Sequence, residues 1–279
     1  MNKFYFLDNK FASTQKAKIS ISDLGFLRGF AVFDLAVAKS KNIFMEHEHL
    51  ERLSISAKFL SLKMPYPKRK ISEITHELLR RNKTKERVLV RWIIFAGKSR
   101  DGQLSDKEFL AVLTENYHRY HQKIYSDGIN LMTCNFKREI PQAKTTNYQL
   151  VYSLYPKMRK EGFFELLFVP NGNILEAGTS NFFIVKNGQL ITPKDDILLG
   201  VTRQVVLNLA NKQRIPVAER KIKIDEIKKC QEAFITATNK KVMPVARIDG
   251  EIIGSGRPGE VTKKLMRAFE IFEEEQLNQ

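Results

Sequence analysis

The sequence has 279 residues, 43% of them hydrophobic, and a formal net charge of +16. Such a length holds two domains with sizeable cores, and such an apolar content excludes a disordered chain. The basic residues are mixed with acids along the whole chain, and the densest clusters, Lys68–Lys70 and Arg80–Arg81, fall on or beside one predicted helix. We therefore read the charge as a solvated surface with some attraction for anionic metabolites, not as a nucleic-acid footprint.

In chain order, Phe4 to Phe11 alternates around Asp8-Asn9 and predicts a hairpin. The run ISISDLGFLRGFAVFDLAVA reads as strand, interrupted by a turn at Gly25 and Gly29. Leu50, Leu53, Ala57 and Leu60 recur at helical spacing and predict one buried stripe. A second helix is predicted from about Ile71 to Arg81, with Ile71, Ile74 and Leu78 on its apolar face. The strands RVLVRWIIFAG and FLAVLTEN follow, joined by the polar loop KSRDGQLSDK. The polar stretch up to Asp127 reads as a linker, dividing the chain into an N-terminal α+β domain (1–116), a linker (117–127) and a C-terminal domain (128–279).

INLMTCNF opens the second half as a strand. YQLVYSLYPKMRKEG predicts a helix bent or broken near Pro156. Two strand-like runs flank the NGN turn, and a helix starting near Thr202 buries Val205, Val206 and Leu209. A strand, a loop and a turn at Asp249-Gly250 come next. The C-terminal helix is expected to bury Val261, Leu265, Ala268, Phe269 and Phe272. Strands and helices mix without strict alternation, which argues for α+β rather than a doubly wound sheet.

Several signals fail on their own chemistry. GKS at Gly97–Ser99 lacks the first glycine of a P-loop, since Trp92 stands there. His47 and His49 sit two apart on a helix and point apart, so they cannot share a metal ion. Cys134 and Cys230 cannot make a disulfide framework, which fits a reduced, cytoplasmic setting. The N-terminus does not read as a signal peptide, and no run reaches the ~18 apolar residues of a membrane span.

What remains is a set of parts in order: Lys144 among small polar residues, the acid Glu176 between strands, and glycine and threonine at the start of the LLGVTRQVVLNLA helix. A helix start offers free N–H groups and a positive dipole end, which suit a phosphate. These parts suit an aldehyde cofactor with a phosphate tail. The motifs DLGFLRGFAVFD, HLERLSISAKFL, QAKTTNY, GNILEAGTSNFF, LLGVTR and FITATNKKVMPV occur in that order. Together they resemble the fold-type IV pyridoxal-phosphate enzymes, which include branched-chain and D-amino-acid aminotransferases and aminodeoxychorismate lyase. The resemblance covers about Phe4 to Phe272.

The resemblance implies a two-domain fold-type IV enzyme that binds pyridoxal 5′-phosphate. Lys144 matches the lysine that anchors the cofactor and shuttles a proton. Glu176 matches the acid facing the pyridine nitrogen, and Tyr148 the tyrosine bonded to the phenolic oxygen. Arg52, the backbone of Val201 and Thr202, and the Thr238 hydroxyl match the phosphate seat. Arg28 and Arg91 resemble the arginines with which some D-amino-acid aminotransferases grip the substrate carboxylate, although each could instead pair with an internal acid such as Asp34. Lys240 departs from the family pattern; it could alter acid preference or point outward. Leu89 and Ser180 stand where branched-chain enzymes often carry a tyrosine and an acid. The implied activity is transamination between an amino acid and a 2-oxo acid, D-amino acids favoured, with pyruvate-releasing lyase chemistry as the alternative. A homodimer is implied, with Arg28 acting in its own or its partner's site.

Overall fold

Asp8 and Asn9 both take positive φ, 42° and 72°, and so close the first hairpin between β1 (Phe4–Leu7) and β2 (Lys10–Ser13). The computed structural model describes residues 3–99 and 107–279, so residues 100–106 of the expected loop lie outside it. The chain divides into two units. The first takes residues up to His118 together with Ala143–Tyr148 and Glu274–Gln279; the second takes Arg119–Gln142 and Gln149–Glu273.

In the first unit, a short helix α1 (Leu24–Arg28) precedes β3 (Ala31–Lys39) and β4 (Asn42–Ile43). Helices α2 (Glu46–Phe59) and α3 (Lys68–Arg81) follow, then β5 (Arg87–Phe95) and β6 (Phe109–Asn116). The strands form an antiparallel sheet ordered β2-β1-β6-β5-β3-β4. The helices bury the stripes their spacing predicts: Leu50, Leu53, Ala57 and Leu60, and Ile71, Ile74 and Leu78. Val90, Trp92 and Ile94 alternate along β5 and join the same core. Arg91 therefore stands on the other face of the sheet.

α1 was not expected. Asp23 caps it by accepting from Gly25 N and Phe26 N, and Gly29 ends it at φ 64°. The left-handed turn at Gly29 releases the chain straight into β3.

The second unit begins with α4 (Gln122–Asp127), a helix inside the stretch read as linker, and β7 (Ile129–Cys134). Next come α5 (Gln149–Lys160), β8 (Glu165–Phe168), β9 (Asn173–Ile174), β10 (Asn181–Lys186) and β11 (Gln189–Thr192). Then follow α6 (Val201–Lys212), β12 (Val217–Glu219), β13 (Ile222–Lys223), β14 (Glu232–Ala237), β15 (Lys241–Ile248) and β16 (Glu251–Ile252). α7 (Glu260–Leu277) closes the chain. The main sheet runs β12-β11-β10-β14-β15-β7-β8, with β16 beside β15, and it mixes parallel and antiparallel pairs. A mixed sheet with helices outside strict alternation is the α+β class.

α5 continues through Pro156 instead of breaking. The proline removes the N–H that would bond the carbonyl of Tyr152, and Tyr152 is exposed, so the lost bond falls on the solvent side of the helix. α7 buries Thr262, Leu265, Phe269, Glu273 and Leu277, a stripe shifted by one residue from the expected Val261 and Phe272. The shift brings a fully buried acid inward, and Lys241 meets Glu273 at 2.9 Å.

Candidate active site

In the first unit, the ring of Phe33 is the platform for three expected site residues. Lys144 follows Ala143 along the edge of β3: Phe33 N donates to Lys144 O at 2.9 Å, and Thr146 N donates to Ala31 O at 3.1 Å. The Lys144 N–H is taken by Ser56 Oγ of α2 at 3.0 Å. With its backbone held on both sides, Lys144 places its ammonium 4.7 Å from the centre of the Phe33 ring. The Tyr148 ring lies 6.0 Å from that ring. Arg91 reaches the same ring, its guanidinium carbon 4.9 Å from the centre. A cation over an aromatic face is held by the ring quadrupole, so Phe33 gathers two positive side chains without neutralising either.

Arg91 is also paired with Glu115, through Nε and through Nη2 at 3.0 Å. Arg28 lies apart from this group, exposed at the end of α1, where its Nη1 donates to Leu27 O at 3.3 Å.

Asp34 is the neighbour of Phe33 on β3 and so points to the opposite face, into the α2–α3 core. Its carboxylate accepts from Arg52 Nε at 2.8 Å and Nη2 at 2.7 Å, from His49 Nδ1 at 2.8 Å and from Leu35 N at 2.7 Å. Burial opposes ionisation of Asp34, yet Arg52 and His49 hold its carboxyl far below the usual carboxylate range. Burial pushes the His49 imidazole below its ordinary range despite Asp34. His49 is thus a neutral donor, its Nδ1 carrying the proton. Asp34 serves Arg52, and Arg91 is served by Glu115; neither Arg28 nor Arg91 takes Asp34. Arg52 is fixed by one edge of its fork and retains Nη1 for another anion.

In the second unit, Glu176 is buried at the start of a tight turn, bridged to Asn181 across Ala177–Ser180. Arg138 donates to Glu176 Oε1 through Nε at 3.0 Å and also through Nη2, and Leu198 N donates to Oε2 at 3.1 Å. These donors fix the direction of the carboxylate.

The Asn181 amide donates to Leu198 O at 2.7 Å and packs against Gly200, where any Cβ would overlap Asn181 Oδ1. Gly200 is the N-cap of α6, and no side chain among the described residues caps that helix. The N–H groups of Val201 and Thr202 therefore open its first turn. Thr236 lies opposite Asn181 in the β10–β14 ladder, and its buried Oγ1 has no hydrogen-bond partner among the described residues. Thr238 follows on the turn after β14.

A profile of the class IV amino-transferases matches residues 31–248. The chain belongs to this family. A putative branched-chain-amino-acid aminotransferase of Methanocaldococcus jannaschii is 32% identical over 95% of this chain and 94% of its own. A D-alanine aminotransferase of Staphylococcus epidermidis is 25% identical over 95% of this chain and 96% of its own. The branched-chain aminotransferase of Thermoproteus uzoniensis, solved with norvaline, superposes with a TM-score of 0.88 at 27% identity, covering 100% of this chain and 96% of that one.

This class IV aminotransferase depends, like its family, on pyridoxal 5′-phosphate. Its own residues fit that group. An uncapped helix start, a glycine with no room for a side chain and an orphaned buried hydroxyl suit a phosphate. A primary amine held by its backbone and a carboxylate held by an arginine suit the aldehyde and the ring nitrogen.

The sequence did not reveal Ser56, His49, Arg138, Thr236 or the role of Asp34. Only the helical spacing of His49, Arg52 and Ser56, three and four apart, could have grouped the first two with Arg52 on α2. Arg138 carries no local signal. Lys240 neither points outward nor stands open to substrate: it is buried, with Nζ 2.7 Å from Glu165 Oε2.

Proposed function

We propose that this aminotransferase exchanges amino groups between an amino acid and a 2-oxo acid with D-amino acids as the favoured donors. The observation that carries the reading is the Phe33 ring, which holds the Lys144 ammonium and the Arg91 guanidinium on one platform. A substrate whose carboxylate met Arg91 would present its Cα toward the lysine. Glu115 takes the Nε/Nη2 edge of Arg91 and fixes its direction, leaving Nη1 for the carboxylate. Arg28, exposed on its short helix, is the second carboxylate-binding group, acting across a homodimer.

When bound, pyridoxal phosphate supplies an electron sink and an acceptor for the amino group. Lys144 would be the catalytic residue: its amine would anchor the cofactor and, when free, would hold and move the proton of the substrate Cα. Glu176, immobilised by Arg138 and Leu198 N, keeps a proton on the ring nitrogen. Tyr148 donates to the phenolic oxygen. As the family resemblance implies, Arg52, the N–H groups of Val201 and Thr202, and the hydroxyl of Thr238 would hold the phosphate, a charge-assisted bond contributing about 1.5–3 kcal/mol. Free Cys134 and Cys230 accord with a cytoplasmic enzyme.

Branched-chain L-amino acids are the second reading, favoured by the 32% identity to the M. jannaschii relative. The relatives compared are aminotransferases, so the lyase alternative is not carried forward. A panel of D- and L-amino acids with 2-oxoglutarate or pyruvate as acceptor separates the readings. D-Alanine or D-glutamate should be the better donor. Turnover of L-leucine, L-isoleucine and L-valine alone would overturn the D-specific reading and leave the transaminase intact.

A further inference from the structure

Lys240 is a buried cation one residue before β15, and its ammonium has three donors. All three are engaged: Glu165 Oε2 at 2.7 Å, Thr179 Oγ1 at 2.5 Å and Ser180 Oγ at 2.8 Å. The two hydroxyls donate their own hydrogen bonds to Glu165, Thr179 Oγ1 to Oε1 at 2.6 Å and Ser180 Oγ to Oε2 at 3.0 Å. Thr179 N is the carboxylate's fourth donor, reaching Oε1 at 2.6 Å. Each group is thus saturated, and each hydroxyl has its direction fixed by an acceptor on one side and a cation on the other.

A buried ion pair is weak evidence for stability, because desolvating both charges offsets their attraction. Its position is more informative. Glu165 opens β8; Thr179 and Ser180 form the turn that follows Glu176; Lys240 ends the turn that carries Thr238. Lys240 N closes that second turn onto Ala237 O at 3.1 Å, and Tyr125 Oη donates to Lys240 O at 3.1 Å. The side chain of one residue therefore fastens one turn to the other through a strand that belongs to neither.

We propose that Lys240 and Glu165 are positioning residues that lock the Glu176 turn to the Thr238 turn, so that the acid for the ring nitrogen and the hydroxyl for the phosphate meet the cofactor at a fixed separation. The proposal rests on the reading of Glu176 and Thr238 given above. Neither Lys240 nor Glu165 touches the cofactor in this arrangement. Both act through the residues they hold.

The test uses pyridoxamine 5′-phosphate, which has the same ring nitrogen and phosphate but cannot bond to Lys144. Its affinity for the apoprotein is measured by equilibrium dialysis, with circular dichroism and the thermal midpoint followed in parallel. Lys240→Met and Glu165→Gln should each weaken binding about tenfold or more. The double variant, Glu165→Gln with Lys240→Met, leaves no unpaired buried charge. It should regain the thermal midpoint but not the affinity. Binding by the double variant within twofold of the parent would overturn the proposal, because the pair would then serve stability alone. If a single variant fails to fold, the double variant decides alone. Thr238→Ala and Glu176→Gln are the controls. If they also leave affinity unchanged, the underlying reading of the two residues fails; if they weaken it while the double variant does not, only the present inference fails.

Discussion

Asp34 sits fully buried under four hydrogen bonds, from Leu35 N, His49 Nδ1 and both Nε and Nη2 of Arg52. Asp34→Ala would leave the Arg52 guanidinium, itself largely buried, without its counter-charge. Breaking a buried pair in this way costs about 3–5 kcal/mol. The protein supplies its own probe, because Trp92 is the sole tryptophan, is fully buried and lies 6.4 Å from the His49 ring. Urea unfolding followed by Trp92 fluorescence thus reports on the first unit. The same site also carries a pH dependence whose sign is set by two depressed values. The Asp34 contribution is present above about pH 3.9, the unfolded value, and is lost as pH falls toward its lower folded value. For His49 the folded base binds its proton less readily than the unfolded one, so stability falls as pH drops below about 6.5. The slope there approaches about 1.4 kcal/mol per pH unit for one proton. His49→Gln keeps a donor for Asp34 and removes the titration, so the difference between wild type and variant should change between pH 7 and pH 5. A difference that stays constant over that range would refute the neutral, buried imidazole, and Asp34→Ala with a cost below about 1 kcal/mol would refute the ion pair.

The remaining predictions need less machinery. Lys144→Ala should lower transamination about a thousandfold or more while circular dichroism is unchanged, since it removes the proposed proton carrier and nothing from the core. Gly200→Ala should displace Asn181 and the first turn of α6, and weaken pyridoxamine 5′-phosphate binding in dialysis. Arg138→Met should destabilise the second unit by about 3–5 kcal/mol in thermal unfolding, because it leaves the buried Glu176 carboxylate without its cation. Gly254→Ala combines a positive φ of 54° with a Cβ that would overlap Gln231 O, so it should lower the thermal midpoint without altering substrate preference.

The parts of the fold that repeat at a fixed spacing were readable. The Leu50/Leu53/Ala57/Leu60 stripe, the Asp8-Asn9 hairpin and the burial of Val205, Val206 and Leu209 each follow from a period or a turn residue. α1 was hidden because five residues show no period, and its helix depends on the Asp23 cap and on Gly29. The α7 stripe was misjudged at its ends because hydrophobicity favoured Val261 and Phe272, whereas Lys241 makes Glu273 a buried residue. Of the bend or break expected at Pro156, the break does not occur: α5 runs through it, and the carbonyl that loses its donor belongs to Tyr152, an exposed residue. Lys144, Glu176 and the α6 start are proposed to act through their own side chains and backbone, and groups of that kind can be singled out by a motif. Ser56, Arg138 and Glu165 act on other residues 88, 38 and up to 75 positions away, and no local pattern encodes a pairing at that distance.

The same logic explains why so many charges in this chain are paired before any substrate arrives. Arg52 has Asp34, Arg91 has Glu115, Glu176 has Arg138, and Lys240 has Glu165. A pair of this kind does not quench the residue that acts; a guanidinium has two usable edges, and a carboxylate has two oxygens with several lone pairs. What the pairing removes is freedom of direction. A flexible arginine or glutamate would have to be ordered when the cofactor binds, and that ordering would subtract from affinity. With the partner in place, ordering is complete in the folded chain, and the free edge is already aimed. A reduction in partner strength that leaves the acting residue untouched, such as Asp34→Asn or Glu115→Gln, should therefore lower affinity for phosphate or substrate carboxylate while the acting arginine remains present and charged.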